Sequence, residues 1–240
     1  MTTNNIHNLT SLWKTATLAF DSYQALPYFD YAYIEGCQWP NRLWFHQDLT
    51  KKSVLAAKSI LENTPIQLTI PYFDIYNRKS FELLEAEGLE VCLEQVAMFL
   101  KPKELLEEKS NFHLEIVANE TQANLWAELF KQAFGYLISA ETILRNLPYV
   151  SYYLAYDNGQ AVGTGMTNRT HKTLGVHSIG VPPAMRRKGF AEAIMIKLIN
   201  KAIQNQIETI TLQASNMGKG LYLKLGFQEQ FVIKSYRLKV

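Results

Sequence analysis

Two stretches of this 240-residue chain echo one another. Around Gly88 the sequence runs SFELLEAEGLEVCLEQVAMFLKP, and around Gly226 it runs GKGLYLKLGFQEQFVIKSYRLKV. An offset of 138 residues, the step from Gly88 to Gly226, lays Leu83 on Leu221, Leu89 on Phe227, Leu100 on Leu238 and Lys101 on Lys239 without a gap. A strand-like run precedes each copy, IQLTI in one and ETITL in the other. Strand, short helix, glycine and long strand, twice in that order, is the signature of an internal repeat. The chain is therefore expected to fold as a tandem of two related domains, 1–108 and 109–240. The charged, proline-bearing stretch KPKELLEEKSN at 101–111 suits the linker between them.

Elements are plainest in the second half. FHLEIVA reads as a strand. The helix TQANLWAELFKQAF follows, with Leu125, Leu129 and Phe130 at helical spacing and Thr121 as its expected cap. A short helix over 140–147 is ended by Pro148. Asn158-Gly159 sits inside SYYLAYDNGQAVGTGMTN, the strongest short signal for a hairpin. A strand over 174–181, a helix over 188–205, the strand IETITLQAS, a short helix over 221–225 and a last strand over 228–238 complete the order. That order gives an α/β (α+β) sheet with a strand-to-helix crossover in its middle. Gly163-Thr164-Gly165 lies within a strand with no helix behind it, which marks a bulge or close backbone approach rather than a dinucleotide loop.

At the crossover the chain reads GVPPAMRRKGFAEAI. A helix N-terminus offers unpaired N–H groups and partial positive charge, and both favour phosphate. Gly189 and the small Ala191 allow close approach to the backbone, while Arg186, Arg187 and Lys188 add charge at the mouth. Pro182 and Pro183 withhold two donors where the strand stops pairing. A net charge of +2 is too small for wholesale nucleic-acid binding, so this anion site is local. Cys37 and Cys92 lie in apolar sequence without metal-ligand spacing and read as buried thiols of a reducing, cytoplasmic compartment. His113, His171 and His177 have no carboxylates or thiols at ligand spacing, so no metal is expected. No apolar run approaches a membrane span, and the opening residues lack a charged leader followed by an apolar block.

VPPAMRRKGFA resembles the V-x-P-x-x-R-x-x-G-x-A pattern of the GNAT N-acetyltransferase superfamily, and LQASNMGKGLYLKLGFQE is similar to its L-Y-x-K-L-G-F segment. The resemblance covers 112–240, and it implies two GNAT-like domains, each a mixed central sheet flanked by helices. It also implies acetyl-CoA as co-substrate and an amine, on a small molecule or a peptide, as acceptor. Arg186, Arg187, Lys188, Gly189, Phe190 and Ala191 would then bind the pyrophosphate through main-chain amides. Ile179 and Val181 would pair with the pantetheine arm, and the Ile179 amide would polarise the thioester carbonyl. Tyr222 stands where the family has the acid that protonates the leaving thiolate. His177 stands where many relatives carry the base, and it shares the face of Ile179 and Val181 only if no bulge intervenes. Ser215 replaces a common asparagine at the pantetheine, with Asn216 beside it; both residues also suit a helix cap.

The first half lacks an R-x-x-G-x-A loop, and Leu84 stands where the second half has Tyr222, so it reads as a degenerate copy. The aromatic run YFDYAYIEGCQWPNRLWFH, with Arg42, reads as strands packing on the partner half rather than as a base-stacking surface. No cysteine lies near either motif, which favours direct attack of the amine in a ternary complex. The alternative is a non-catalytic acyl-CoA sensor or scaffold.

Overall fold

A computed structural model describes residues 2–239. Helix α1 (Thr2–Leu18) opens the chain, followed by a small antiparallel sheet of β1 (Tyr23–Ala25), β2 (Phe29–Ala32) and β3 (Arg42–Phe45). Then come α2 (Lys51–Asn63), β4 (Ile70–Phe73), α3 (Glu82–Ala86) and β5 (Leu89–Leu100). Beyond the linker lie β6 (Phe112–Ile116), α4 (Glu120–Phe134), α5 (Ala140–Asn146), β7 (Ser151–Asp157), β8 (Gln160–Thr170) and β9 (Thr173–Gly180). A 3-10 turn (Pro183–Met185) leads into α6 (Phe190–Gln204), β10 (Thr209–Ala214), α7 (Lys219–Lys224) and β11 (Gln228–Leu238).

One eight-stranded mixed sheet runs through both halves in the order β4-β11-β5-β10-β9-β8-β7-β6. Each half gives its last strand to the other: β11 pairs with β4, β5 pairs with β10, and β5 and β11 pair with each other. In that central antiparallel ladder Gln95 faces Ile233. These two residues are themselves separated by the 138-residue offset of the sequence echo, so the pair marks a local pseudo-twofold axis. The same offset lays α2 on α6 and α3 on α7, with their ends matched to within three residues. Gly88 and Gly226, both left-handed with φ of 84° and 87°, turn each short helix into its long strand. Leu89 and Phe227 are buried just after them.

Local chemistry accounts for the second-half elements. Asn158 and Gly159 both have positive φ, the geometry of a tight primed turn, and they join β7 to β8. Asn119, not Thr121, caps α4: its side chain accepts the Gln122 amide, and Gly135 closes the helix in the left-handed region. The buried stripe of α4 is Ala123, Trp126, Ala127 and Phe130 together with Leu129, while Leu125 lies on the exposed side. Gly163 and Gly165 mark close approach: a Cβ at Gly163 would sit 2.7 Å from the Gly180 carbonyl oxygen, and one at Gly165 would sit 3.3 Å from Ile179. The β7·β8 register also shifts by one residue beside Gly163, between Ala155 and Tyr156.

Three apolar clusters fill the fold. One lies on the α6 face of the sheet. A second lies under α2 and α3 in the first half. The third joins α1, α4 and α5 to Trp39, Trp44 and Phe73 of the first half; of the aromatic run only Trp39 and Trp44 pack on the partner half, while Phe29, Tyr31, Tyr33 and Phe45 pack in the first-half cluster. Helix α1 precedes the first half in sequence yet lies on β8, β9 and β10. Asn5 donates to the Met98 carbonyl at 3.2 Å, and Asn8 exchanges side-chain-to-backbone hydrogen bonds with Asn168 at 3.0 and 3.2 Å. One expectation is corrected here. Cys37 is buried, but Cys92 is exposed on β5, its thiol donating to the Ser235 carbonyl at 3.2 Å. Among the described residues no helix is long and apolar enough to cross a membrane, and no group of three or more His, Cys, Asp or Glu side chains is placed to hold a metal ion.

Candidate active site

The site begins where the sheet opens. β9 and β10 are parallel and pair over only three residues each, Thr173–Gly175 against Thr209–Thr211. Past Gly175 the strands part, so the edge of β9 that faces β10 is free of that partner. A bulge sits in the freed stretch: the β8·β9 register shifts between Thr164 and Met166, and Ser178 takes a φ of 55°. Thr164 Oγ1 donates to the Ser178 carbonyl at 3.0 Å and holds the bulge in place.

The bulge decides which side chains share a face. Leu174, Val176, Ile179 and Val181 all pack in the α6 cluster, along with Met185, Tyr222 and Leu225. His177 points the other way, toward α1. A Cβ on Gly175 would lie 1.9 Å from Asn8 Oδ1 and 2.5 Å from His177 Nε2, so both atoms hang over that glycine. Asn8 Oδ1, His177 Nε2 and Thr211 Oγ1 are all buried without a hydrogen-bond partner among the described residues, and Thr211 stands opposite Gly175 in the ladder. Asn8 and His177 thus fill the space over Gly175, with Thr211 on the adjoining strand. Burial pulls the His177 pKa down to about 4, with Gln213 opposing, so the imidazole is neutral near pH 7.

The strand ends at Gly180, and the two prolines lead through the 3-10 turn into a loop of cations. Arg187 (φ 64°) and Gly189 (φ 80°) are both left-handed, and Gly189 is the N-cap of α6 with no side-chain capping bond. No protein atom lies within 4 Å of where a Cβ on Gly189 would be. The first-turn amides of a 15-residue helix thus open onto a bare surface. Among the described residues Arg186, Arg187 and Lys188 form no ion pair with a carboxylate. The Arg186 guanidinium is committed to main-chain carbonyls, donating to Val181 at 3.2 Å and to Ala133 at 3.0 Å, and so ties the loop to β9 and α4. Lys188 Nζ leans on the Met185 sulfur at 4.0 Å. The Phe190 side chain stacks on Phe112 in the core, leaving only its amide to the surface.

The pseudo-equivalent start in the first half is closed. Thr50 caps α2 and Ser53 bonds back to the Thr50 amide, so the box satisfies the donors that α6 leaves open. Leu84, which stands for Tyr222, is fully buried in the first-half cluster beside Leu49 and Val54.

On α7, Tyr222 packs edge-on to Phe227 at 5.9 Å, and burial pushes its phenol up to about 12. Ser215 serves its own turn: its Oγ accepts the Gly218 amide at 3.3 Å, and its carbonyl accepts Gly218 and Lys219 at 3.0 Å. Asn216 is exposed. The structure therefore brings Ile179, Val181, Tyr222 and the open α6 start onto one face and sets His177 on the other. Asn5, Asn8, Thr211 and Gln213, which shape the His177 side, went unnoticed in the sequence. The Asn5, Asn8, Leu9, Leu12 spacing in α1 was the available signal.

The family model described as Acetyltransferase (GNAT) family matches residues 118–227, a span that takes in the strand split, the cationic loop and α7. This segment matches the GNAT acetyltransferase family. The whole chain is similar in fold to a GCN5-related N-acetyltransferase from Kribbella flavida, at 12% identity and a TM-score of 0.75, over 98% of this chain and 96% of that one. A GCN5-related N-acetyltransferase-like protein from Streptococcus suis matches end to end, 100% of each chain, at 13% identity and a TM-score of 0.60. A tandem GNAT protein from the clavulanic acid biosynthesis pathway matches 87% of this chain and 77% of its own, at 10% identity and a TM-score of 0.58. At these identities the likeness is one of fold, and it extends the comparison beyond the matched segment to the first half. No curated protein matches the sequence.

Proposed function

We propose that the chain is an acetyl-CoA-dependent N-acetyltransferase that works by direct attack of an amine in a ternary complex. One observation carries the reading: of two pseudo-equivalent helix starts, α2 is sealed by its own capping box, while α6 is uncapped, ringed by cations and set beside a split in the sheet. An N-terminus left open in this way favours a pyrophosphate. In this reading the amides of Lys188, Gly189, Phe190 and Ala191 hold the pyrophosphate, with Arg187 and Lys188 adding field and Arg186 fixing the loop. The freed edge of β9 at Ile179 and Val181 aligns the pantetheine arm, and the Ile179 amide faces the oxyanion that forms as the amine adds to the thioester carbon. Tyr222, protonated at any working pH, donates to the thiolate as the C–S bond breaks.

The thiols support direct transfer. Cys37 is buried and bonded to the Leu137 carbonyl at 3.4 Å, and Cys92 is bonded on β5. His177, neutral and on the far face, is not placed to take the amine proton, so attack falls to the fraction of acceptor that is already neutral. That same placement favours the second reading, an acyl-CoA-binding module without turnover. Calorimetric titration of acetyl-CoA into wild type and Gly189→Trp tests the first step: one site per chain, lost in a folded variant, is expected. Equal affinity in both would overturn the assignment. Turnover of any member of an amine panel then rejects the second reading.

A further inference from the structure

On the far side of the sheet from α6, a guanidinium stands without a counter-charge. Arg42 begins β3, where alternation puts Leu43 in the first-half core and Trp44 in the core shared with α4 and α5. Arg42 therefore lies on the Trp44 face, toward the second half. Its one hydrogen bond is to the carbonyl of adjacent Asn41 at 3.1 Å, and among the described residues no carboxylate lies within ion-pair reach. By contrast Arg237, which like Arg42 lies near Cys92, is satisfied by Glu90 at 2.9 and 3.0 Å. Arg42 keeps part of its surface open, yet the packing around it is dense enough that burial lowers its pKa, with Tyr136 and Cys92 opposing. A guanidinium so placed gives up hydration without gaining a partner, and it carries five donors in a planar fork.

A second group beside it is also unsatisfied. Arg42 forms a parallel bridge with Thr69, which sets the two side chains next to each other, and Thr69 Oγ1 is buried with no partner. The route from this pair to the split strand runs through two rings. Tyr136, a charge neighbour of Arg42, lies 6.1 Å from Phe134 between ring centroids. Phe134 in turn lies so close to Gly180 that a Cβ there would meet its ring at 2.6 Å. Arg42 thus lies on the side of the sheet that α6 does not cover, with the rings of Tyr136 and Phe134 between it and the end of β9.

We infer that Arg42 and Thr69 recognise a carboxylate on the acceptor, so that the amine acetylated by this chain belongs to an amino acid or a peptide with a free C-terminus. One guanidinium with one hydroxyl matches a planar monoanion better than a phosphate dianion. The first half thereby acquires a use that its sealed helix start does not supply. The inference rests on the acetyltransferase reading, and its test is separable from it.

The probes are linear amino acids from glycine to 6-aminohexanoate and glycylglycine, each against its carboxamide, with O-phosphoethanolamine as the phosphate arm. Thiol release from acetyl-CoA is followed in wild type, Arg42→Gln and Arg42→Lys. Acids are expected to exceed their amides about tenfold or more in kcat/KM, through KM, as suits a charge-assisted pair. Arg42→Gln should bring the two within about threefold while acetyl-CoA affinity holds, and Arg42→Lys should recover only part of the preference. Equal use of acid and amide by wild type, a preference that survives Arg42→Gln, or a preference for the phosphate would each overturn the inference. Thermal melts without turnover give a second readout: the acids should raise the wild-type Tm and leave Arg42→Gln unmoved, and a flat wild-type response together with no turnover also overturns it. Failure of acetyl-CoA to bind wild type would instead sink the acetyltransferase reading.

Discussion

Two ionisable side chains on opposite faces of β9 carry opposite predictions. Tyr222, with its pKa near 12, keeps its proton across the working range. Activity should therefore climb with pH as the acceptor amine loses its own proton, with no descending limb from Tyr222 below about pH 11. Tyr222→Phe should cut kcat about a hundredfold and leave acetyl-CoA affinity in calorimetry nearly intact. His177 acts on stability instead. Its native pKa of about 4 lies below the unfolded value near 6.5. Between those values the unfolded chain binds a proton that the folded chain refuses, so stability is full above pH 6.5 and falls as pH drops toward 4. The ceiling on that loss is about 3 kcal/mol. Urea melts from pH 7 to 4.5 should show the slope, His177→Gln should flatten it, and the pH–rate profile should show no step near 6.5. A step there that vanishes in His177→Gln would return the histidine to catalysis.

At the scale of elements, the contrast between α2 and α6 separates stability from binding. Thr50→Ala removes a cap and should cost about 1 kcal/mol in urea melts while acetyl-CoA affinity stays unchanged. Gly189→Ala does the reverse: the left-handed φ of 80° costs about 1–2 kcal/mol for any L side chain, so the variant is expected to shift the loop that presents the open amides. Its acetyl-CoA affinity should fall at least about tenfold. These features were legible because turn chemistry and helix starts are written in neighbouring residues: the cationic loop, the Asn158-Gly159 hairpin and the last strand lie where local pattern places them. The Ser178 bulge was not legible. It depends on Thr164 reaching across from β8 and on a serine accepting positive φ, and neither leaves a local mark. Since one bulged residue reverses every side chain after it, the face of His177 was hidden for the same reason. Helix α1 was missed because its polar residues Asn5 and Asn8 are buried by contacts with Met98 and Asn168, far along the chain.

For the whole molecule, the echo at 138 residues pointed to two related halves, and the pair Gln95–Ile233 puts that offset at the centre of the sheet. Local sequence could not show that the halves trade strands, because pairing β5 with β10 rather than keeping it at home is a tertiary choice. The trade has a mechanical consequence. β5 belongs to the 1–108 side of the boundary but hydrogen-bonds on both edges to strands of the other side, β10 and β11. Helix α1 adds a second crossing contact through Asn5, Asn8 and its apolar stripe. A fragment 109–240 made alone would expose the facing edges of β10 and β11 and the apolar surface under α1, a combination that invites aggregation. Cutting only the connection should be harmless, because the segment at 101–111 joins strands already fixed by the sheet. It is held to α6 by local contacts: Asn200 bonds Leu106 at 2.8 Å in both directions, Glu108 accepts from Asn200 at 2.8 Å and from Lys197, and Lys109 lies over the Phe190 ring at 4.8 Å. We therefore expect a chain cleaved at an engineered protease site after Lys103 to elute at the size of the intact protein and to melt in one transition. The 109–240 fragment expressed alone should be insoluble and should be rescued by co-expressed 1–108. Two resolved melting transitions in the intact chain, or a soluble fragment 109–240 that binds acetyl-CoA, would show instead that the halves fold independently and that the strand exchange contributes little to stability.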